Sequence, residues 1–274
     1  MPKEYADEAG VGPLLREWRQ RRNLTQLALA HLANTSARHV SFVETGRSRP
    51  SRALLSRLAD HLDIPARQRN ALYVAAGYAP VFERSRLDSP RLRLVNQTVE
   101  RLFEAHEPFP ALALDADEDI VSMNRAAALL AREVPAGLLK PPVNLMRVAL
   151  HPEGLARQIV NLAEWREHML GRLYRQMVHS GLPSLRSLYQ EVSAYAGTSA
   201  DAGAAAENSV LTLLHMRLFD TEIRLFSTIT TFGATTDITV AELSLETFHP
   251  ADEHTAKVFR EALEVRPDRV PSAG

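Results

Sequence analysis

Five short amphipathic segments, separated by capping residues, occupy the first 77 residues and limit what this part of the chain can form. Apolar residues recur every three or four positions, as on one face of an α-helix, beginning with Leu14, Leu15 and Trp18. Thr25 is predicted to be the N-cap of one such segment. Gly46 follows another amphipathic segment, at the position where a helix commonly ends with a residue in the left-handed conformation. We therefore expect a small bundle of five short helices.

The segment SARHVSFVETG, residues 36–46, is predicted to be a helix with two unlike faces, capped by Ser36, which is also predicted to contact DNA. Val40 and Val43 point to one side, and the opposite side carries Arg38, Ser41 and Phe42. Such a stripe suits base edges in a major groove, because Arg bonds guanine, Ser bonds several bases and an apolar ring touches thymine methyl groups. A solvated surface or a dimer contact is the alternative interpretation of this face.

Positive charge is concentrated in the same part of the chain, although the net charge of all 274 residues is only −1. Residues 1–87 carry 14 Lys or Arg and 8 Asp or Glu, a net charge of +6, whereas the remaining residues carry 18 and 25, a net charge of −7. A basic module joined to a larger acidic one suggests that the first meets a polyanion. Arg47 and Arg49 lie just past the helix and are predicted to contact phosphates, which position a protein without reading sequence.

The stretch LTQLALAHLANTSARHVSFVETGRSRPS, residues 24–51, resembles the lambda-repressor-like, or XRE-type, helix-turn-helix. The residues that agree with the family's pattern are Leu24, Thr25, Gln26, Leu29, Ala30, Ser36, Glu44, Gly46 and Pro50. The resemblance implies that Gln26 holds a backbone phosphate and that Arg19 forms a structural ion pair with Glu44. Asn34 stands where Gly is usual, but Asn tolerates the left-handed conformation, and Thr35 replaces an aliphatic residue.

The rest of the chain has a different pattern. Prolines at positions 80 and 90 mark residues 79–91 as a linker between a first domain, 1–78, and a second domain, 92–264. The second domain is predicted to contain a helix from Leu92 to Phe103, a hairpin in PALALDADEDIVSMN, and further helices up to residue 196. Residues 197–208 are predicted to be a mobile loop and residues 265–274 a flexible tail. Three late strands are predicted in VLTLLHMRLF, EIRLFSTITTFG and ITVAELSLETF, with the first turn at Asp220 and Thr221.

The opening hairpin of the second domain resembles that of a PAS-like domain, in which an Asn, here Asn124, starts the following helix. Together with PPVNLMRVALHPEGLARQIVNLAEW and the late segments LFSTITTFG and ETFHPAD, it resembles the MmyB-like ligand-binding domain found behind XRE-type helix-turn-helix regions in bacterial regulators. The expected fold is therefore a five-helix all-α bundle followed by an α+β PAS-like domain with an antiparallel sheet. The resemblance implies a pocket for a small apolar molecule, which a fatty acid or a similar amphiphile would fit.

Polar side chains at helical spacing in the second domain are candidate ligand contacts. The residues predicted to bind the ligand are Asn124, Asn144, Arg147, His151, Trp165 and His168. Arg147 is suited to hold a carboxylate. The alternative is structural: the two asparagines cap helices, Trp165 belongs to the core and Arg147 forms a surface ion pair.

Several other functions are disfavoured by the sequence. The chain has no cysteine, which excludes disulfides and thiolate chemistry, and it has no Gly-rich phosphate loop, HExxH or GxSxG motif. The cluster His249, Asp252, Glu253 and His254 fits a helix N-terminus better than a metal site. No long apolar run or secretory signal is visible, so a cytoplasmic location is expected. We expect a dimeric, ligand-responsive transcription regulator with no required cofactor and no enzymatic activity; a haem or redox sensor, or an enzyme tethered to DNA, is the alternative.

Overall fold

The structure is a computed structural model that describes residues 10–195, 210–233 and 236–264. The predicted loop at 197–208 and the predicted tail at 265–274 lie outside the described residues. By their contacts, the described residues form two compact units: residues 10–85 with 236–241, and residues 86–233 with 242–264.

Five short helices form the main body of the first unit, as predicted. They are α1 (Val11–Arg21), α2 (Gln26–Leu32), α3 (Ala37–Glu44), α4 (Arg52–His61) and α5 (Ala66–Ala75). Leu15, Leu29, Val43 and Leu58 are fully buried in their shared core. The caps form as predicted: the Thr25 hydroxyl accepts a hydrogen bond from the backbone N–H of Ala28 at 3.0 Å, so local sequence sets where α2 begins.

The second unit is built on a five-stranded antiparallel sheet, whose strands are β1 (Ala111–Leu114), β2 (Ile120–Met123), β3 (Leu214–Leu218), β4 (Thr221–Thr231) and β5 (Ser244–Pro250). Their order in the sheet is β2-β1-β5-β4-β3. Its α-helices are α6 (Arg93–His106), α7 (Arg125–Leu130), α8 (Leu145–Leu150), α9 (Leu162–Ser180), α10 (Pro183–Ser193) and α12 (Glu253–Glu264). The short helix α11 (Ile238–Ala241) belongs to the first unit. This arrangement confirms the predicted fold class.

The two faces of the sheet support two hydrophobic clusters. On one face, alternate side chains such as Leu112, Leu225 and Phe248 belong to the same buried cluster as residues of α8, α9, α10 and α12. On the other face, Ala113 and Leu245 pack with residues of α6. The first of these clusters surrounds the candidate ligand site. Among the described residues, no helix is both long enough and apolar enough to cross a membrane.

Two details of the predicted strands are wrong. The third predicted strand, ITVAELSLETF, begins with the helical turn α11, because the Asp237 carboxylate accepts a hydrogen bond from the backbone N–H of Thr239 at 2.9 Å and caps that turn. The turn between β3 and β4 consists of Phe219 and Asp220, one residue earlier than predicted. Both have positive φ, as a two-residue hairpin turn requires.

Candidate DNA-binding surface and ligand cavity

Helix α3 presents opposite faces to the core and to solvent, as its sequence predicts. Val40 and Val43 are buried in the core of the first unit, while Arg38 is exposed. The Ser36 hydroxyl accepts a hydrogen bond from the backbone N–H of His39 at 3.1 Å and so caps the start of α3. Ser41 is half-buried on this helix.

Two arginine side chains lie over the ring of Phe42, which is half-buried on α3. The guanidinium carbon of Arg38 is 5.2 Å from the centre of the Phe42 ring, and that of Arg47 is 6.0 Å away. These distances fall within the range of cation–π attraction. The structure thus brings together three of the residues predicted to contact DNA, with an aromatic ring flanked by two positive charges.

A buried hydrogen-bonded network holds the end of α3 against α1 and α2. Arg19 pairs with Glu44 through both carboxylate oxygens, at 2.6 and 2.9 Å, which is the ion pair implied by the resemblance. The side-chain amide of Gln26 donates to the same carboxylate at 2.8 Å. Although burial raises the pKa of the Glu44 carboxyl, the hydrogen bonds from Arg19 and Gln26 hold it below its ordinary value. Gln26 therefore has a structural partner here, and its phosphate contact stays a prediction.

The two arginines that follow α3 occupy different surroundings. Arg47 is exposed beside Phe42. Arg49 donates hydrogen bonds to the main-chain carbonyls of Ala76 and Gly77 at 2.6 and 2.9 Å, and its guanidinium lies over the Tyr78 ring. Arg49 thus holds the C-terminal end of α5, a geometry that does not favour the phosphate contact predicted for it.

An apolar cavity lies in the second unit between the sheet and the helices that cover it. Its wall includes Leu112, Ile120, Leu145, Trp165, Met169 and Phe248. The cavity volume open to the centre of a water molecule is about 70 Å³. A single water needs roughly 10–15 Å³ by this measure, so the cavity has room for several carbon-sized groups. The geometry suits a small apolar ligand.

The two asparagines predicted to bind the ligand are used for capping. Asn124 accepts hydrogen bonds from the backbone N–H groups of Ala111 and Ala127 and donates to the Phe109 carbonyl. Asn144 caps α8 and donates to the Asp117 carbonyl and the Asp119 carboxylate, both at 2.8 Å. Both side chains are buried and neither contributes to the cavity wall, so their structural interpretation is the better supported one.

The predicted cation Arg147 is also occupied by a protein partner. Its guanidinium makes two hydrogen bonds to the carboxylate of Glu191, at 2.7 and 2.8 Å. His151 packs edge-on against the Tyr195 ring, and its Nδ1 accepts from the backbone N–H of Glu153. Neither Arg147 nor His151 belongs to the described cavity wall.

Trp165 and His168 form a stacked pair beside the cavity. Their ring centres are 5.2 Å apart, and Trp165 is 3% exposed and lines the cavity. His168 lies outside the cavity wall. Its pKa is lowered, first by burial and then by the nearby Arg172 guanidinium, so its neutral form is favoured. Among the described wall residues, Trp165 alone comes from the predicted ligand set.

A buried charged group beside the cavity was not among the site residues predicted from the sequence. Glu246 on β5 lines the cavity, and Arg172 on α9 pairs with both Glu246 and Glu118. The sequence offered two signals for this group: a Glu at an inward-facing position of β5 and an Arg in the middle of α9. Because the two residues are 74 positions apart, the sequence does not show that they form an ion pair.

Comparisons with known proteins follow the same division of the chain. Residues 11–72 match a family model described as a helix-turn-helix domain, and residues 95–262 match one described as the MmyB-like transcription regulator ligand binding domain. A search of curated proteins found no match. A solved structure described as "Structure of an RNA-binding Light-Oxygen-Voltage Receptor" aligns at 14% identity with a TM-score of 0.26, over 91% of this chain and 64% of its own length.

That structural likeness is too weak to support an argument, and the chain spans less than two thirds of the length of that protein. The match to residues 95–262 covers more than half of the chain, and the sheet and cavity lie inside it. The helix-turn-helix match covers α1 to α5 apart from the last three residues of α5. The chain belongs to the family defined by the MmyB-like transcription regulator ligand binding domain, with a helix-turn-helix domain in front of it.

Proposed function

We propose that this chain is a sequence-specific transcription regulator whose DNA binding responds to a small apolar or amphiphilic ligand. A helix-turn-helix domain and an MmyB-like ligand-binding domain in one chain indicate a ligand-responsive transcription regulator. Two features of this chain carry the finer proposal. The exposed side chains of Arg38 and Arg47 lie over the half-buried ring of Phe42 in the first unit, and the second unit contains an apolar cavity. One surface suits a polyanion and the other suits a lipid-like molecule.

The DNA-binding part rests on the chemistry of α3. Arg38 is exposed and held over Phe42, so its guanidinium is positioned without a competing carboxylate among the contacts described for it. A pre-positioned guanidinium reads guanine with two hydrogen bonds, and an aromatic edge beside it can contact a thymine methyl group. Since one such helix reads few base pairs, a homodimer on paired half-sites is part of the proposal.

The ligand-binding part rests on the cavity. We propose a small apolar or amphiphilic occupant, and a fatty acid is the candidate that the sequence suggested. No cofactor is required by this proposal, and the haem alternative has no observation in its favour, since the described wall contains no histidine. We place the protein in the cytoplasm and assign it no catalytic step, because both matched families describe binding domains.

The experiment has a DNA arm and a ligand arm. Selection from a randomised duplex library yields the preferred site, and Arg38→Ala is compared with Arg101→Ala, which removes an exposed arginine of α6 and the same charge. We expect Arg38→Ala to lose about 1 to 3 kcal/mol at one base position and to relax preference there. If Arg38→Ala weakened binding equally on the selected and the random duplexes, the proposal that Arg38 reads a base would be contradicted.

In the ligand arm, native mass spectrometry of the purified chain and solvent extraction identify any bound small molecule. We expect a bound apolar molecule, or a rise in melting temperature when short amphiphiles are added, because a ligand that binds only the folded state stabilises it. A chain that carries no such molecule and whose melting temperature does not change with any of them would contradict the ligand part of the proposal.

A further inference from the structure

The described cavity wall consists of aliphatic and aromatic side chains apart from one residue, Glu246. Among the described wall residues it carries the single charged side chain, and it is 1% exposed. Glu246 lies on the central strand β5, directly opposite Leu112 of β1. A carboxylate in the wall of an otherwise apolar cavity is costly unless it is paired, so its partners show what the cavity can accept.

Arg172 joins Glu246 to a second buried carboxylate. Its Nη1 donates to both oxygens of Glu246 at 2.8 and 2.9 Å, and its Nη2 donates to Glu118 at 2.8 Å. Glu118 is 4% exposed and sits in the β1–β2 turn with a φ of 64°, a conformation that glycine or asparagine adopts more easily. Because glycine or asparagine would adopt this φ with less backbone strain, the backbone conformation does not account for a glutamate at this position.

This buried group, Glu118, Arg172 and Glu246, has no spare positive charge for a ligand carboxylate. One guanidinium already serves two carboxylates through its two Nη atoms. Its Nε–H has no hydrogen-bond partner, but it is buried, and Arg172 is not part of the described cavity wall. Burial raises the pKa of the Glu118 carboxyl in spite of the Arg172 guanidinium beside it. The nearby His168 is biased to its neutral form by burial and by Arg172. A third carboxylate at this wall would therefore face repulsion and desolvation together.

The same wall has unused capacity to accept hydrogen bonds. A carboxylate oxygen can accept two hydrogen bonds, and each oxygen of Glu246 receives one from Arg172. Among the other described wall residues only Trp165 has a polar group, an indole N–H that can donate a hydrogen bond but not accept one. A ligand donor would occupy the remaining acceptor positions of Glu246, and a charge-assisted hydrogen bond of this kind is strong in a dry site.

We propose that Glu246 selects the head group of the ligand: the cavity binds an apolar molecule whose polar end donates a hydrogen bond, a hydroxyl or an ammonium group, and disfavours a carboxylate. This inference rests on the proposed ligand-binding function and refines it. It makes an alcohol or an amine a better occupant than the fatty acid suggested by the sequence.

The test uses three probes with one six-carbon chain: 1-hexanol, hexylamine and hexanoate. The chain contains two tryptophans. Trp165 lines the cavity and Trp18 lies in the core of the first unit. Trp18→Phe therefore makes Trp165 the fluorescence reporter of the cavity. We expect 1-hexanol and hexylamine to bind at least tenfold more tightly than hexanoate at pH 7.

Two single substitutions then test the role of Glu246. Glu246→Gln removes the charge at the cavity wall, and we expect it to reduce the preference for hexylamine over hexanoate at least tenfold. Glu118→Gln removes the same charge from the same buried group at a residue outside the cavity wall, and we expect it to keep the ranking of the three probes.

The possible results separate the two proposals. If none of the three probes changes Trp165 fluorescence, the proposed ligand cavity itself is contradicted. If all three bind equally, or if Glu246→Gln keeps the preference of the parent chain, the ligand cavity stands and the selection by Glu246 is overturned. Should Glu246→Gln fail to fold, the ranking in the Trp18→Phe chain alone decides the matter.

Discussion

Arginine side chains of the first unit serve two different purposes, and their partners distinguish them. Arg22, Arg57 and Arg69 donate to main-chain carbonyls, those of Leu62, Ala33 and Ile64, at the ends of helices. Such carbonyls lack partners within the helix, and a guanidinium satisfies them. Much of the positive charge that the sequence suggested for DNA is therefore used in folding. Arg38 and Arg47 instead lie exposed beside Phe42.

The buried Glu44 carboxylate accepts hydrogen bonds from Arg19 and Gln26 and stabilises the first unit. We expect Glu44→Gln to lower the free energy of unfolding of the first unit by about 3 kcal/mol at pH 7, because Arg19 would keep a buried charge without its carboxylate partner. Urea unfolding followed by Trp18 fluorescence in a Trp165→Phe background measures this change. Glu17→Gln is the matched control: Glu17 pairs with Arg21 on the surface, so its loss should cost less than about 0.5 kcal/mol.

The pH dependence of the same variant has a defined sign. Because the pKa of Glu44 is lower in the folded chain than its ordinary value of 4.5, its contribution is present above that value and is lost as the pH falls through the folded pKa. The stability difference between the parent chain and Glu44→Gln should therefore shrink on acidification below pH 4.5. A difference that stays constant from pH 7 to pH 3 would contradict the ion-pair account.

Elements whose signals are local in sequence were predicted correctly. The helix starts at Thr25 and Ser36 and the left-handed residue Gly46 depend on neighbours within four positions, so the sequence alone sufficed. The start of the third late strand was wrong because a cap at Asp237 competed with the alternation of apolar residues. The predicted ligand role of Asn144 is not supported for a similar reason: capping uses the same residue type as ligand binding.

Helix α1 packs closely against the end of α3 at Gly12. A Cβ atom at Gly12 would lie 2.5 Å from the main-chain oxygen of Glu44 and 2.6 Å from that of Val43. We expect Gly12→Ala to force the two helices apart and to cost about 1 to 3 kcal/mol of stability. Gly10→Ala is its matched control, since a Cβ at Gly10 has no neighbour within 4 Å. Thermal unfolding of the two variants followed by Trp18 fluorescence compares them, and equal melting temperatures would show that the helices can adjust.

At the scale of the whole molecule, the sequence predicted the architecture better than it predicted the cavity. Periodicity, turn residues and the charge division between the two parts of the chain are properties of contiguous segments, and they led to the correct fold class. The cavity is formed by residues from β1 to β5, such as Leu112, Trp165 and Phe248, which are far apart in sequence. The pairing of Arg172 with Glu246 depends on a long-range contact as well, so no sequence window contains it.

Because the chain as a whole is nearly neutral, its affinity for DNA must come from a few local charges rather than from net charge. Arg47→Met and Arg49→Met test this, since they change the charge of the molecule equally at positions two residues apart. We expect Arg47→Met to weaken binding to all duplexes alike and to reduce the slope of log K against log salt by about 0.9, without changing stability. We expect Arg49→Met to lower the stability of the first unit by about 2 kcal/mol, because it removes hydrogen bonds to Ala76 and Gly77, and to leave the salt slope unchanged.

Fluorescence anisotropy at several salt concentrations and urea unfolding measure the two quantities on the same preparations. If net charge governed binding, the two variants would lose the same affinity and their salt slopes would change together. A reduced slope for Arg49→Met with unchanged stability would instead restore the phosphate contact predicted from its position after α3, and would mean that its hydrogen bonds to α5 are exchanged for DNA on binding. Opposite outcomes for the two variants would assign Arg47 to DNA and Arg49 to the fold, which is the division that their contacts indicate.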